Sequence, residues 1–198
     1  MLKDLVKMFV SPLLKRHGFK KKRLTWNKTT ADGFNQVVDF QVSKFSCPEE
    51  ESFTINLGVF FPDVWRKCWA KEPPKFVNEE DCFPRVRVAQ LLNGFSQEST
   101  DYWWTCNTEV EIDKVGKEIE VLLEKECLPF LDKMLNIQNV IRLYSSGSVK
   151  LTPIEKIYLA IMKYSTGDID SSIELLKEVS NISNVWANRV DTIWSRLS

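Results

Sequence analysis

The chain has 198 residues, with 27 Lys and Arg against 27 Asp and Glu and a formal net charge of zero. The balance is uneven, because residues 1–30 hold nine basic side chains and one acid, a surplus of +8 that the other residues offset. A uniformly basic nucleic-acid coat and a highly charged disordered chain are excluded, whereas a local basic patch is not. Hydrophobic residues make up 43% and aromatic residues 12%, as in a globular protein. A chain of this length buries roughly 70% of its unfolded surface, so it needs neither disulfides nor a metal to hold a core. No apolar run reaches the ~18–20 residues that span a bilayer. The N-terminus mixes charges into its apolar positions and lacks the unbroken core of a signal peptide. A cytosolic protein with no membrane partner is expected.

Residues 2–17 read as a helix with Leu2, Val6, Phe9 and Leu13 inward, kinked or cut by Pro12 and stopped at Gly18. Three strand-like runs follow. Residues 20–28 carry Leu24 and Trp26, residues 34–45 alternate Phe34, Val38, Phe40 and Val42 with polar partners, and residues 53–61 alternate Phe53, Ile55, Leu57, Val59 and Phe61. Short turn-like linkers between them predict an antiparallel meander. Asp63 to Trp69 predicts one or two helical turns. Residues 85–92 and 101–112 read as two further strands, and a helix from about Asp113 carries Val115, Ile119, Leu122, Leu123 and Cys127 to a bend or end near Pro129.

The C-terminal third changes character. Thr152-Pro-Ile-Glu155 is a capping box with proline at the first helical position. Asp168 caps a second helix, and Trp186, Val190, Ile193 and Leu197 mark a third. The expected fold class is α+β, an antiparallel meander packed by helices over residues 1–136, with a helical C-terminal extension over 137–198 packed on it.

The chemistry-bearing patterns are few. Five cysteines (Cys47, Cys68, Cys82, Cys106, Cys127) lie far apart with no Cys-x-x-Cys spacing, which predicts buried reduced thiols and no local zinc site. His17 is the lone histidine, sits at a helix end among cations, and makes a poor base. The seven glycines form no phosphate-cradling or nucleophile-elbow motif. Glu79-Glu80-Asp81 beside Cys82 could hold a hard cation but reads first as a solvated loop, and Glu49-Glu50-Glu51 at a predicted hairpin tip reads the same way. No catalytic residue, metal or cofactor is assigned.

Two patterns suggest binding. The run Lys15 to Arg23, with Lys20, Lys21, Lys22 and Arg23 at its end, carries enough charge to meet phosphates, and Phe19 and Trp26 are placed near enough to stack on bases. The bland alternative makes the lysines a solvated rim and the aromatics a corner of the core. Arg85 and Arg87 share one face of a strand, where two guanidiniums repel unless acids, an anion or an aromatic surface meet them. Tyr102, Trp103 and Trp104 on the next predicted strand could supply that surface by cation–π contact, which makes the pair structural, and the other reading is a pocket for an acidic or aromatic partner.

Several stretches taken together carry a resemblance. His17-Gly-Phe-Lys-Lys-Lys22, Phe40-Gln-Val-Ser-Lys44, Phe53-Thr-Ile-Asn-Leu-Gly-Val59, Arg85-Val-Arg87 before Leu91-Leu92, Asp101-Tyr-Trp-Trp104 and Leu128-Pro-Phe-Leu131 resemble a bacterial domain-of-unknown-function family, DUF 4304. The resemblance covers roughly residues 3–135 and implies an α+β domain of a bacterial cytosolic protein, with no catalytic residues to carry over. The leading expectation is a non-enzymatic module that binds another protein, because Trp and Arg are enriched at interface hot spots. The alternative is nucleic-acid binding through residues 15–23. The third is an enzyme with an unrecognised site, for which a buried carboxylate of raised pKa in a deep pocket by Arg85 and Arg87 would speak, and against which a shallow, filled sheet face would count.

Overall fold

A computed structural model describes residues 1–46, 51–95, 101–147 and 149–197. Cys47, Glu49 and Glu50 of the second predicted linker lie outside the described residues. The chain is α+β, with a six-stranded antiparallel sheet and helices that include the C-terminal ones. It divides into two compact units, one of Met1–Phe60 with Phe76–Leu135 and one of Phe61–Lys75 with Asn136–Ser198. Among the described residues no helix is long and apolar enough to cross a membrane.

The first unit opens with a helix that is α-helical over Leu2–Leu5 and Ser11–Arg16, with a π-helical turn Val6–Val10 between them. Pro12 stands just past that turn. A proline cannot bond the carbonyl four residues back and its ring crowds it, and the wider π turn makes room. The expected kink is thus absorbed, and the chain turns off at Gly18 with φ +86°. The same device recurs in the long helix Glu109–Leu122, which passes through a π turn Leu123–Cys127 before Pro129 and continues as Leu128–Met134. These two helices approach closely: a Cβ on Gly116 would fall 2.2 Å from the Phe9 ring.

The sheet comprises β1 (Lys20–Lys22), β2 (Thr25–Thr29), β3 (Asn35–Val42), β4 (Glu51–Phe60), β5 (Arg85–Arg87) and β6 (Trp104–Cys106). The order is β1-β2-β3-β4-β5, and β6 pairs with the other end of β4. Three predicted runs are corrected. Residues 20–28 form two strands rather than one, since Lys21 pairs with Trp26 and Arg23 takes a left-handed φ of 58° in the turn. The run 85–92 is strand only to Arg87 and then a helix, Val88–Leu92, opened where the Gln90 side chain accepts the Arg87 N–H at 2.8 Å. The run 101–112 keeps only β6, because a capping box of Thr108 and Glu111 starts the long helix at Glu109.

Register divides the sheet into two unlike faces, since side chains alternate along each strand. One face carries Trp26, Phe40, Phe53 and Trp104 in a continuous row, with successive ring centroids 5.4, 5.8 and 5.9 Å apart. Phe40, Ile55 and Leu57 on the same face are buried, and so are Leu5, Leu13, Ile119 and Leu131 of the helices. The opposite face carries Thr25, Asp39, Gln41, Asn56, Arg85 and Arg87. A strap from Phe76 to Phe83 runs beside it. Asn27 fastens the strap by donating to the Val77 carbonyl and accepting the Val77 N–H, both at 2.8 Å. Gly58 lets it approach, because a Cβ there would meet Cys82 Cβ at 2.5 Å.

The second unit is helical: Pro62–Trp69, Ile137–Ser145, Pro153–Ser165, Ile169–Ser180 and Asn184–Leu197. Its expected caps are formed. Thr152 Oγ1 accepts the Glu155 N–H while Glu155 accepts the Thr152 N–H, and Asp168 accepts the Ser171 N–H. Arg189 stacks 4.1 Å from the Trp69 ring, and Arg196 donates to the carbonyls of Lys67 and Cys68 at the end of Pro62–Trp69. A cation there complements the helix dipole.

Candidate functional site

Arg85 and Arg87 share the polar face, and acids meet both. Arg85 Nε lies 2.7 Å from Glu79 Oε1, and Arg87 pairs with Asp101. Arg87 also sits 5.8 Å from the Trp103 ring and donates to Gln41 Oε1, which accepts from Asn56 as well. The predicted cation–π contact therefore falls to Trp103. Trp104, one residue on, points to the opposite face and is buried in the aromatic row.

Two carboxylates on this polar face titrate high. Burial raises Glu79 most, the Asp39 charge adds to that, and Arg85 opposes it. Burial likewise raises Asp39, against a hydrogen bond from Thr25 at 2.7 Å. Neither acid was singled out by its sequence context as a partner of the arginines. The register sets Asp39 opposite Asn56 and Asn56 opposite Arg87, and the turn Glu79–Asp81 of the strap brings Glu79 to Arg85 on the same surface.

The basic run is the edge of the sheet. Lys20 and Lys22 point to the polar face and Lys21 to the aromatic one, where its Nζ lies 4.9 Å from the Trp26 ring. Lys22 sits over Phe76 and Lys28 over Phe19. Arg23 holds the turn into β2. Phe19 and Trp26 are buried, so neither ring is open for a base to stack on. Lysines on an exposed edge strand also guard it against pairing with another chain. Lys20 and Lys22 lie four strand spacings from Arg85 and Arg87, about 19 Å, so the two basic sets do not form one cluster.

A groove of about 340 Å³ opens at the far end of the aromatic row. Its wall is Leu92, Val121 and Leu122, its floor Trp104 and Tyr102, and its charged lining Glu118, Lys125 and Glu126. Leu92, Tyr102 and Val121 are 49, 45 and 51% exposed, whereas Trp104 beneath them is 4% exposed. Tyr102 meets Trp104 edge to face at 4.6 Å. Glu118 Oε1 accepts the Trp104 indole N–H at 3.0 Å, and burial and then the Glu118 charge push the Tyr102 hydroxyl pKa up. Sequence reasoning named Trp104 and Tyr102 but missed Leu92, Glu118 and Val121, which reach the groove from two separate helices.

The described thiols offer no nucleophile. Cys68, Cys82, Cys106 and Cys127 are free and buried. Burial pushes Cys106 to about 11 and Cys127 to about 12, and raises Cys68 and Cys82 as well. His17 Nε2 lies 3.9 Å from Glu124 at the helix end. Among the described residues no group of three or more His, Cys, Asp or Glu is placed to hold a metal ion.

The fold and these surfaces define a class: an α+β domain whose sheet has an aromatic face ending in an open groove and a polar face closed by paired charges. A family model described as a domain of unknown function, DUF4304, matches residues 10–133. The match covers well over half of the chain, which belongs to this family. No curated protein and no solved structure matches it.

Proposed function

We propose that the chain is a non-enzymatic protein-binding module that receives its partner in the groove beside Trp104. One observation carries the reading: Leu92, Tyr102 and Val121, three large apolar side chains left about half exposed, converge over a buried tryptophan. Apolar surface concentrated in a depression with a charged rim is the usual anatomy of an interface. The test begins with capture of a partner from the native host and its production in pure form. Titration calorimetry then compares wild type with Val121→Glu and with Val110→Glu, a change on the same helix at an 80% exposed position outside the groove lining. Val121→Glu should weaken binding by about tenfold or more, while Val110→Glu leaves it unchanged. Equal binding by wild type and Val121→Glu would refute the groove.

A second reading, proton transfer on the polar face, is favoured by the raised carboxyls of Asp39 and Glu79 beside Arg85. Both acids already have internal donors, Thr25 and Arg85. Carbon-13 titration of the two carboxyls decides this point. A general acid would titrate above about pH 6, and titration below that leaves both in a structural role.

A further inference from the structure

We infer that the groove selects a basic side chain flanked by apolar ones, an arginine or lysine of the partner whose cationic end meets Glu118. This inference rests on the protein-binding reading and names the chemistry of its occupant.

Glu118 is held at the groove by the tryptophan beneath it. Its carboxylate takes the Trp104 indole N–H at 3.0 Å. That donor belongs to a buried ring that Tyr102 packs edge to face, so the carboxylate has a set position at the groove lining. One neutral donor occupies part of its acceptor capacity, and a carboxylate has about four lone-pair sites. Among the described residues no lysine or arginine pairs with it. A fixed, un-neutralised carboxylate with spare acceptor sites is complementary to a guanidinium or ammonium donor.

The surroundings agree. The charged lining holds Glu118 and Glu126 against Lys125, a net negative count. Leu92 and Val121 offer apolar surface along which the methylene stem of a basic residue can lie. Tyr102 adds an exposed ring to a cation's approach. An acidic partner would set its charge against two glutamates and gain one lysine. A wholly apolar partner would fill the walls and leave the carboxylate facing hydrocarbon, which costs free energy for a charge that loses water without gaining a donor.

Three peptides used as probes test this on the full chain: acetyl-Leu-Arg-Leu-amide, its norleucine analogue and its glutamate analogue, each titrated by low-affinity calorimetry. The arginine peptide should bind about fivefold more tightly than the norleucine peptide, the fold-change of one partly exposed ion pair. The glutamate peptide should bind most weakly. Glu118→Gln should reduce the arginine peptide to the norleucine level and flatten its salt dependence. Equal affinity of the arginine and norleucine peptides for wild type overturns the cation assignment and leaves the groove reading standing. Absence of binding by all three overturns both. The comparison among peptides on wild type does not depend on how well the Glu118→Gln variant folds.

Discussion

The two faces of the one sheet are built on opposite plans. On the first, Trp26, Phe40, Phe53 and Trp104 run ring to ring across four strands. On the second, Asp39, Glu79, Arg85 and Arg87 are partly sequestered, and each has a hydrogen-bonding or charged partner. The aromatic face gains stability from area removed from water, and its last member borders an open groove. The polar face holds charges that partners satisfy, so it contributes order more than free energy. The difference is the reason the proposed binding surface is the groove rather than the arginines. Their charges are already met, whereas among the described residues the carboxylate beside Trp104 pairs with no lysine or arginine and takes the neutral indole N–H.

The contrast is sharpest in unfolding experiments. Phe53→Ala removes a ring with no exposure from the middle of the aromatic row and should cost about 3–5 kcal/mol in urea unfolding. Gln41→Ala, on the polar face, should cost well under half of that. A comparable loss from both would erase the distinction between the faces.

The strap gives the next effect. Gly58→Ala puts a Cβ 2.5 Å from Cys82 Cβ, and the displacement it forces should cost about 1–3 kcal/mol by the same measurement. Asn27→Ala leaves the Val77 N–H and carbonyl without their side-chain partner in a buried site, with an expected loss of about 1–3 kcal/mol. Hydrogen exchange at Val77 should quicken in this variant. Unchanged protection would mean that the strap is held by something other than Asn27.

The smallest effect is a gain. Burial raises the Asp39 pKa in the folded state, so its favourable contribution is complete below the unfolded value of about 3.9 and fades as pH rises through the folded value. Asp39→Asn keeps an acceptor for the Thr25 hydroxyl and removes the desolvated charge. The variant should melt slightly above wild type at pH 7, with the gap closing toward pH 3. A variant that melts lower at pH 7 would show that the charge stabilises the polar face.

Much of this architecture was legible in the residues. Strict alternation in β3 and β4 placed Val38, Phe40, Phe53 and Ile55 on one face, and alternation alone put Arg85 and Arg87 side by side. The failures have local causes. Trp104, Cys106, Val110 and Ile112 keep an even spacing that imitates a strand, and this concealed the Thr108-x-x-Glu111 capping box that starts a helix between them. Val88 to Leu92 is too short to show a helical period, and its start depends on the Gln90 side chain bonding Arg87 N–H. The groove was beyond reach for a different reason. Leu92, Tyr102 and Val121 are distant in sequence and meet only through tertiary packing.

The most direct test of the central claim follows the tryptophan indoles by proton–nitrogen NMR during titration with acetyl-Leu-Arg-Leu-amide, with Trp104 assigned through Trp104→Phe. The expected result is a saturable shift of the Trp104 indole N–H, which bonds Glu118 at the groove, while the buried Trp26 indole at the other end of the row stays still. An unmoved Trp104 resonance with shifts confined to other tryptophans would contradict it.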